Sequence, residues 1–283
     1  MASREEYWAL ALKILFIEDC GTESQYKEVF PLLVKYLYNT LGIHSLYRYR
    51  PDDKWEKRDK EDFVNDMIWF QPMSGQNDPF EFSFNMDCFN LPDISSFEAY
   101  LAAFLNLDFL VKGYVDLLWH QFEDYKDKCS IACLCEQPDN ILLWSYYANS
   151  HQGYCVEYSS IDILNSFQCF VLPVLYHDKF PTFSDMFFGD MKEKLLPYHM
   201  ALKAITSKAS FWALEQEWRV VRTLGSGGEK VPFPAPKAVY LGCNANSTLE
   251  TDLKNVCKNK RIPVFKMKKN RTDYKLHPLL IQE

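Results

Sequence analysis

The stretch Ser45-Leu46-Tyr47-Arg48-Tyr49-Arg50-Pro51 decides the class of fold that we predict for this chain. Apolar or aromatic residues alternate with polar ones, and a proline follows, which is typical of a β-strand. Before this stretch, between residues 3 and 41, apolar residues recur at helical spacing in two runs that end at Gly42. The change of period predicts a helical N-terminal extension, residues 1–44, followed by an α+β main domain, residues 45–283.

Further strands and helices follow along the chain. We predict strands at 66–72, 130–135, 153–158, 171–176, 217–222, 238–242 and 262–267, and helices at 95–127, 188–216 and 247–258. Flexible connections are expected only at 225–228 and 232–236, where Gly and Pro cluster. The mixture of strands and helices after a helical segment indicates an α+β fold.

Composition and charge exclude several classes of protein. The net charge of −7 argues against a general nucleic-acid binder, because neutralising phosphates requires clustered Lys and Arg. No stretch approaches the roughly 18 apolar residues of a transmembrane helix, and no secretory signal is recognisable. The nine cysteines are odd in number and irregularly spaced, so we expect reduced thiols and a cytoplasmic protein without membrane contact.

Metal and nucleotide motifs are largely missing. Cys129, Cys133 and Cys135 form C-x3-C-x-C, which would need Cys155 or His151 to complete a zinc site. We interpret these cysteines as small core residues and predict no metal site. The signatures G-x-x-x-x-G-K-[ST], G-x-G-x-x-G, H-E-x-x-H and G-x-S-x-G are absent, so we expect no ATPase, Rossmann oxidoreductase, zincin or α/β-hydrolase.

Four segments combine polar and aromatic residues beside predicted strand ends. They are LYRYR (46–50), NDPFE (77–81), DNILLWSYYANSHQGYCVEY (139–158) and KASFWALEQEWRVV (208–221). Each segment also has a purely structural interpretation. Tyr47 and Tyr49 could pack across strands, Arg48 could face solvent, and residues 77–79 could form a turn. His151 could be a hydrogen-bonded structural histidine, and Glu217 and Arg219 could form a plain ion pair.

In this order and spacing, the four segments resemble a large, mostly bacterial family of domains of unknown function, over about residues 46–268. The order of elements and polar residues is more distantly similar to the ADP-ribosyltransferase superfamily. The chain departs from the usual sequence of the family at Cys133-Leu-Cys135-Glu136, where a Phe and a Ser are more common.

The second resemblance implies a split, mixed, largely antiparallel sheet with flanking helices, and NAD as the substrate of ADP-ribose transfer or NAD hydrolysis, in a bacterial defence or toxin system. It implies catalytic roles for Arg48, Tyr147 and Glu217. A guanidinium suits phosphate or ribose hydroxyls, a tyrosine can stack on nicotinamide, and a carboxylate can counter the developing positive charge. The candidate binding residues are Tyr47, Arg50, Ser145, His151, Glu215, Asn77 and Glu81.

Two other functions stay open from the sequence. One is a non-catalytic module that binds a nucleotide or a partner through the same aromatic cleft. The other is a metal-dependent nuclease or hydrolase that would use Asp78, Glu81, Glu215, Glu217 and His151. A transferase would need an acceptor, either a protein, a nucleic acid, a small molecule or water. We expect the N-terminal helices to contact a partner or a second copy, or to complete the core.

Overall fold

The computed structural model describes residues 3–18, 23–85, 117, 119–126, 128–167, 170–182, 196–223 and 228–283 of the chain. Within these residues the fold is α+β, built on one ten-stranded, mostly antiparallel sheet and one two-stranded parallel sheet. The helices are α1 (Arg4–Glu18), α2 (Glu23–Lys35), α3 (Lys60–Val64), α4 (Ile141–Tyr146), α5 (Ser160–Phe167), α6 (Leu196–Ile205) and α7 (Ser247–Lys260). Residues 119–126 are also helical.

The strands are β1 (Ser45–Arg50), β2 (Met67–Pro72), β3 (Ser130–Cys135), β4 (Tyr154–Ser159), β5 (Val171–Pro173), β6 (Leu175–His177), β7 (Ser207–Ala209), β8 (Glu217–Arg222), β9 (Glu229–Pro232), β10 (Ala238–Leu241), β11 (Val264–Lys269) and β12 (Leu276–Gln282). The large sheet runs in the order β12-β11-β10-β4-β1-β3-β2-β9, with β8 paired to β3 and β5, whereas β6 and β7 form the small sheet.

Most of the elements predicted within the described residues are present, with two corrections. The strand predicted at 171–176 is two strands in different sheets, since β5 pairs with β8 and β6 pairs with β7. The helix predicted at 188–216 is described only from 196, ends at Ile205, and is followed by β7 and a 3-10 helix, Ser210–Glu215. The helix predicted at 95–127 lies mostly outside the described residues.

The sheet opens between β1 and β2. On one side, β3 pairs with β8 along its whole length. On the other side, β3 pairs with β1 only at Cys135, opposite Tyr47, and with β2 only at Ser130 and Ile131. β1 and β2 therefore meet opposite ends of β3 and leave a gap between them, which we call the sheet opening.

The core has two parts, one on each face of the sheet. Successive residues of a strand point to opposite faces, so Tyr154 and Val156 of β4 join the larger cluster while Cys155 joins the smaller one. The smaller cluster is covered by α4 through Leu143 and Trp144. The larger one contains the main hydrophobic core and receives side chains from α1, α2, α5, α6 and α7.

The N-terminal helices contribute to this larger cluster. Tyr7, Trp8 and Ala11 of α1 are buried in it, and Leu33 of α2 has no exposed surface. Arg4 donates hydrogen bonds to the backbone carbonyls of Val174 and Glu217, at 3.0 and 3.3 Å. Of the roles that the sequence left open for this segment, the packing supports completion of the core.

No helix among the residues that the structure describes is both long and apolar enough to cross a bilayer.

Candidate functional site

A cavity of about 230 Å³ lies at the sheet opening. It takes residues from β1, β2, β3, α4 and β8 and from the segments that connect them. Its walls contain five cationic and three carboxylate side chains together with aromatic rings and amides: Tyr47, Arg48, Tyr49, Arg50, Arg58, Trp69, Gln71, Gln76, Asn77, Glu81, Ile131, Cys133, Leu134, Cys135, Leu143, Tyr147, Lys208, Glu215, Glu217 and Arg219.

Eight of the ten candidate residues line this one cavity. Arg48, Tyr147 and Glu217, to which the resemblance assigns catalysis, are among them although 169 sequence positions separate the first from the last. The other five are Tyr47, Arg50, Asn77, Glu81 and Glu215. The remaining two, Ser145 and His151, do not line it.

Ser145 and His151 form a separate local contact beside α4. The Ser145 hydroxyl lies 3.2 Å from Nε2 of His151 and donates to the carbonyl of Ile141 at 2.9 Å. His151 belongs to a turn in which Asn149, Ser150 and His151 all have positive φ, a conformation that non-glycine residues rarely adopt. These two residues shape the turn before β4 and do not reach the cavity.

Arginines form one wall of the cavity. Arg50 pairs with Asp59 through two hydrogen bonds, Nε to Oδ2 and Nη2 to Oδ1, both 2.7 Å long. Arg58 contacts the same carboxylate at 3.2 Å and lies over the ring of Trp69, 5.8 Å from its centre. Asp59, which does not itself line the cavity, therefore neutralises part of this wall.

Arg48 has no such carboxylate. Its Nη2 donates across the sheet opening to the carbonyl of Trp69 at 2.9 Å, and no carboxylate of the described residues lies within ion-pair distance of it. Burial, together with repulsion from Arg50, lowers the pKa of Arg48 to about 10, which still leaves the guanidinium charged at neutral pH. A half-buried, charged guanidinium that faces a cavity and has no ion-pair partner among the described residues is suited to bind an anion.

The opposite wall is a buried ionic network. Arg219 holds Glu81 with two hydrogen bonds of 2.7 and 2.8 Å, and its Nε donates to Glu217 at 2.8 Å. Lys208 donates to Glu215 at 2.6 Å and to Glu217 at 3.1 Å. All five side chains are at most 10% exposed. We call these residues the ionic network: Glu81, Lys208, Glu215, Glu217 and Arg219.

The network keeps Glu217 ionised. Burial alone would raise the pKa of Glu217, but the charges of Arg219 and Lys208 outweigh it and lower the pKa to about 2. Glu217 is therefore a carboxylate at every physiological pH. An ionised group in this position cannot donate a proton, but it can stabilise a positive charge that develops beside it.

The local chain explains how Glu215 and Glu217 come together. Glu215 ends the 3-10 helix and β8 begins only at Glu217, so the two carboxylates do not lie on one strand. Gln216 between them has a left-handed conformation with φ of 46°, which turns the chain sharply. Both carboxylates nevertheless reach the ammonium group of Lys208.

Tyr147 connects this wall to α4. Asn140 caps the helix by accepting hydrogen bonds from the backbone N–H groups of Leu142 and Leu143, and Tyr147 follows at the helix end. The hydroxyl of Tyr147 donates to Glu215 at 2.7 Å. Burial and the nearby charge of Glu215 raise the pKa of Tyr147, so its phenol stays protonated.

The turn at 77–81 places Asn77 and Glu81 in the wall of the cavity. As its composition predicts, Asp78 caps its own backbone: its Oδ1 accepts from the N–H of Phe80 at 2.9 Å. Asp78 lies beside a second cavity, of about 420 Å³, whose lining also includes Glu81 and Lys208. Asp78 and His151 are absent from the lining of the first cavity, so only Glu81, Glu215 and Glu217 of the set considered for a metal-dependent nuclease meet there.

Within the described residues no group of three or more His, Cys, Asp or Glu side chains is arranged to hold a metal ion. Cys129, Cys133, Cys135 and Cys155 are free thiols, and burial raises the pKa of each of them. Cys20, Cys88 and Cys169 lie outside the described residues.

Sequence reasoning did not single out Lys208, Arg58 or Trp69 as site residues. Lys208 lies in the quoted segment 208–221, and no local signal distinguishes it from a surface lysine. Arg58 sits in a charged run that is typical of a solvated loop. Trp69 has the pattern of an ordinary strand aromatic. Their roles depend on which segments fold against one another.

Comparison with known proteins covers part of the site. No curated protein and no solved structure matches this chain. Residues 143–220, from α4 to β8, match the model of a family described as a protein of unknown function (DUF2971). The matched stretch contains Tyr147, Lys208, Glu215, Glu217 and Arg219, while Arg48, Asn77 and Glu81 lie outside it. The segment that carries most of the ionic network is therefore similar to a domain of unknown function.

Proposed function

We propose that this protein is an NAD-utilising enzyme that is similar to ADP-ribosyltransferases and carries out ADP-ribose transfer or NAD hydrolysis at the sheet opening. One observation carries the proposal. Arg48, Tyr147 and Glu217, far apart in sequence, line the same cavity. Catalytic groups that act on one substrate must be held within reach of it.

The distribution of charge in the cavity supports an NAD-like substrate. The nicotinamide end of NAD carries a positive charge and the diphosphate carries negative charges. Arg48 offers an uncompensated guanidinium for phosphate, and Glu217 offers a permanently ionised carboxylate for the cationic end. At about 230 Å³ the cavity is smaller than the range of roughly 300 to 1,000 Å³ that is usual for drug-sized ligands, so it would enclose only part of a dinucleotide.

The reaction would proceed by heterolysis of the bond between nicotinamide and C1′ of the ribose. The bonding electron pair leaves with nicotinamide, which departs neutral, and the ribose becomes an oxocarbenium-like cation. Glu217 would stabilise this cation electrostatically. A water molecule or an acceptor hydroxyl or amine then adds to C1′ and loses a proton to solvent, which completes hydrolysis or ADP-ribose transfer.

Release of nicotinamide from NAD tests the proposal. The purified protein and its Glu217→Gln variant are assayed with and without a cell lysate as a source of acceptor. We expect turnover by the wild type and a loss of about 100-fold or more in the variant, because removing one preorganised electrostatic group costs that much in related chemistry.

Glu157→Gln is the matched control. Glu157 is also a buried carboxylate, which accepts from Ser45 at 2.6 Å and pairs with Lys237 at 3.0 Å, but it does not line the cavity. We expect this variant to keep its turnover. Equal loss in both variants would point to a general effect on the fold and contradict a specific role of Glu217.

A second function is favoured by the same ionic network. Glu217 is held by two cations, as a purely structural carboxylate would be, and this suits a module that binds a nucleotide without cleaving it. Thermal stabilisation by NAD in the absence of nicotinamide release, in wild type and Glu217→Gln alike, would establish this alternative.

A further inference from the structure

Lys208 is buried in the ionic network, and the proposed reaction assigns it no chemical step. Its ammonium group is 4% exposed and lies 2.6 Å from Glu215, 3.1 Å from Glu217 and 3.8 Å from Glu81. It also lies over the ring of Trp212, 5.0 Å from the ring centre. Burying an ammonium group is costly unless its charge is compensated and its donors are used.

Lys208 joins the two halves of the ionic network. Arg219 contacts Glu81 and Glu217 but makes no ion pair with Glu215. Among the described residues, Lys208 is the cation that pairs with Glu215, whose other oxygen accepts from Tyr147. Without Lys208, the pair formed by Tyr147 and Glu215 would have no ionic link to Glu217.

Groups from several other elements also surround Glu217. Arg219 comes from β8, Cys133 from β3 and Tyr176 from β6, where the Tyr176 hydroxyl accepts from the Glu217 backbone N–H at 2.8 Å. Glu81 lies near both Lys208 and Arg219, whereas Glu215 pairs with Lys208. Lys208 is therefore one of two cations that oppose the repulsion among three carboxylates.

We propose that Lys208 is a positioning residue that holds Glu215 and Glu217 together as an ionised pair on the wall of the cavity. This inference rests on the proposed function for its effect on turnover, but its effect on the carboxylates can be measured without any substrate. Lys208 would act through Glu215 and Glu217 and would not touch the substrate.

The first test measures the carboxylates directly. Side-chain carboxyl groups of ¹³C-labelled glutamate are titrated by NMR in wild type and Lys208→Met, and the Glu217 resonance is assigned with Glu217→Gln. The positive charges lower the pKa of Glu217, so we expect its titration midpoint to rise by roughly one pH unit or more when Lys208 is removed. Lys208→Arg, which keeps the charge, should leave the midpoint near its wild-type value.

The double variant Lys208→Met with Glu215→Gln guards against a failure to fold. It removes one cation and one carboxylate, so the network keeps its charge balance, and Glu217 still loses the Lys208 charge. We expect an upward shift of the Glu217 midpoint here too. An unchanged midpoint in a folded variant that lacks Lys208 would overturn the inference, whatever the activity of the protein.

The second test uses turnover. In the NAD assay we expect Lys208→Met to lower kcat by about 100-fold, as for the loss of one preorganised group, with KM changed by less than about threefold. Lys208→Arg should recover most of kcat. Equal losses in the Met and Arg variants would overturn the positioning role. If the wild type shows no turnover, the proposed function fails, while the NMR titration still decides the role of Lys208.

Discussion

At the scale of single residues, neighbouring arginines of one strand have opposite roles. Arg48 and Arg50 lie two positions apart on β1 and both line the cavity. Arg50 is neutralised by two short hydrogen bonds to Asp59, whereas Arg48 reaches only a backbone carbonyl. The guanidinium of Arg50 contributes to stability, and that of Arg48 is held ready for an anion at a cost in stability.

Replacing each arginine by methionine should therefore affect the free energy of unfolding differently. We expect Arg50→Met to lower the free energy of unfolding by about 3 kcal/mol, because it leaves Asp59 without its main partner. Arg48→Met should leave the free energy of unfolding unchanged or raise it, since it removes a half-buried charge that has no ion-pair partner among the described residues.

Chemical denaturation measures both effects, and NAD-induced thermal shift measures binding. Binding should be lost in Arg48→Met and weakened less in Arg50→Met, at temperatures where that variant is folded, because Asp59 already neutralises Arg50. A destabilised Arg48→Met that still binds NAD would contradict the assignment of Arg48 as the anion-binding group.

At the scale of elements, two close backbone approaches hold β1, β4 and β10 in register beside the site. A Cβ atom on Gly153 would lie 2.1 Å from the carbonyl oxygen of Arg50, and one on Gly242 would lie 2.0 Å from that of His151. Gly153 donates its N–H to the carbonyl of Ala148, and its own carbonyl accepts from Gly242 at 2.9 Å. The turn at 149–153 thus fits between the ends of β1 and β10 only because two side chains are missing.

Gly153→Ala should therefore destabilise the protein by about 3 kcal/mol or more, because the backbone of β1 would have to move. Gly42→Ala is the control. Gly42 has a positive φ of 69°, but no atom lies within 4 Å of the place that a Cβ would take, so only conformational strain of roughly 1 kcal/mol is expected. Urea denaturation of both variants measures the difference. Equal losses of stability in the two variants would show that a steric clash at residue 153 does not destabilise the protein.

At the scale of the whole molecule, the N-terminal segment and the rest of the chain share one core. Tyr7, Trp8 and Leu33 are buried against residues of the large sheet and its helices, and Arg4 donates to the first residue of β8, Glu217. The segment predicted as an extension is therefore packed against the strand that carries Glu217 and Arg219 of the ionic network. The prediction that residues 1–44 are separate from a main domain of residues 45–283 stays a prediction.

Removing residues 1–44 should prevent cooperative folding, because it would expose the apolar surface that these side chains cover. Circular dichroism during heating measures the cooperativity of unfolding, and binding of a hydrophobic dye measures the exposed apolar surface. Substituting the exposed Leu32 and Tyr38 by serine is the control, since their side chains are 54% and 38% accessible. A truncated chain with a sharp, fully cooperative transition would contradict the shared core.

The amino-acid sequence by itself determined the fold class and most of the strands, because alternation and helical spacing are local properties of the chain. Ser45–Arg50 and Glu217–Arg222 both alternate, and both are strands. The sequence also indicated most of the residues that meet in the cavity, although Arg48, Tyr147 and Glu217 were grouped by a resemblance and not by spacing.

Only the tertiary structure decided how these residues are used. The helix predicted through residue 216 is broken because Ser207–Ala209 pairs with β6 and Lys208 is drawn to buried carboxylates. Ser145 lies outside the cavity, where its hydroxyl bonds back to Ile141 of its own helix, and His151 lies in a turn of three left-handed residues beside it. Whether an arginine is neutralised, as Arg50 is by Asp59, or left uncompensated, as Arg48 is, depends on how separate segments pack together. Periodicity carries no information about such pairings, because charge compensation is a property of the packed molecule.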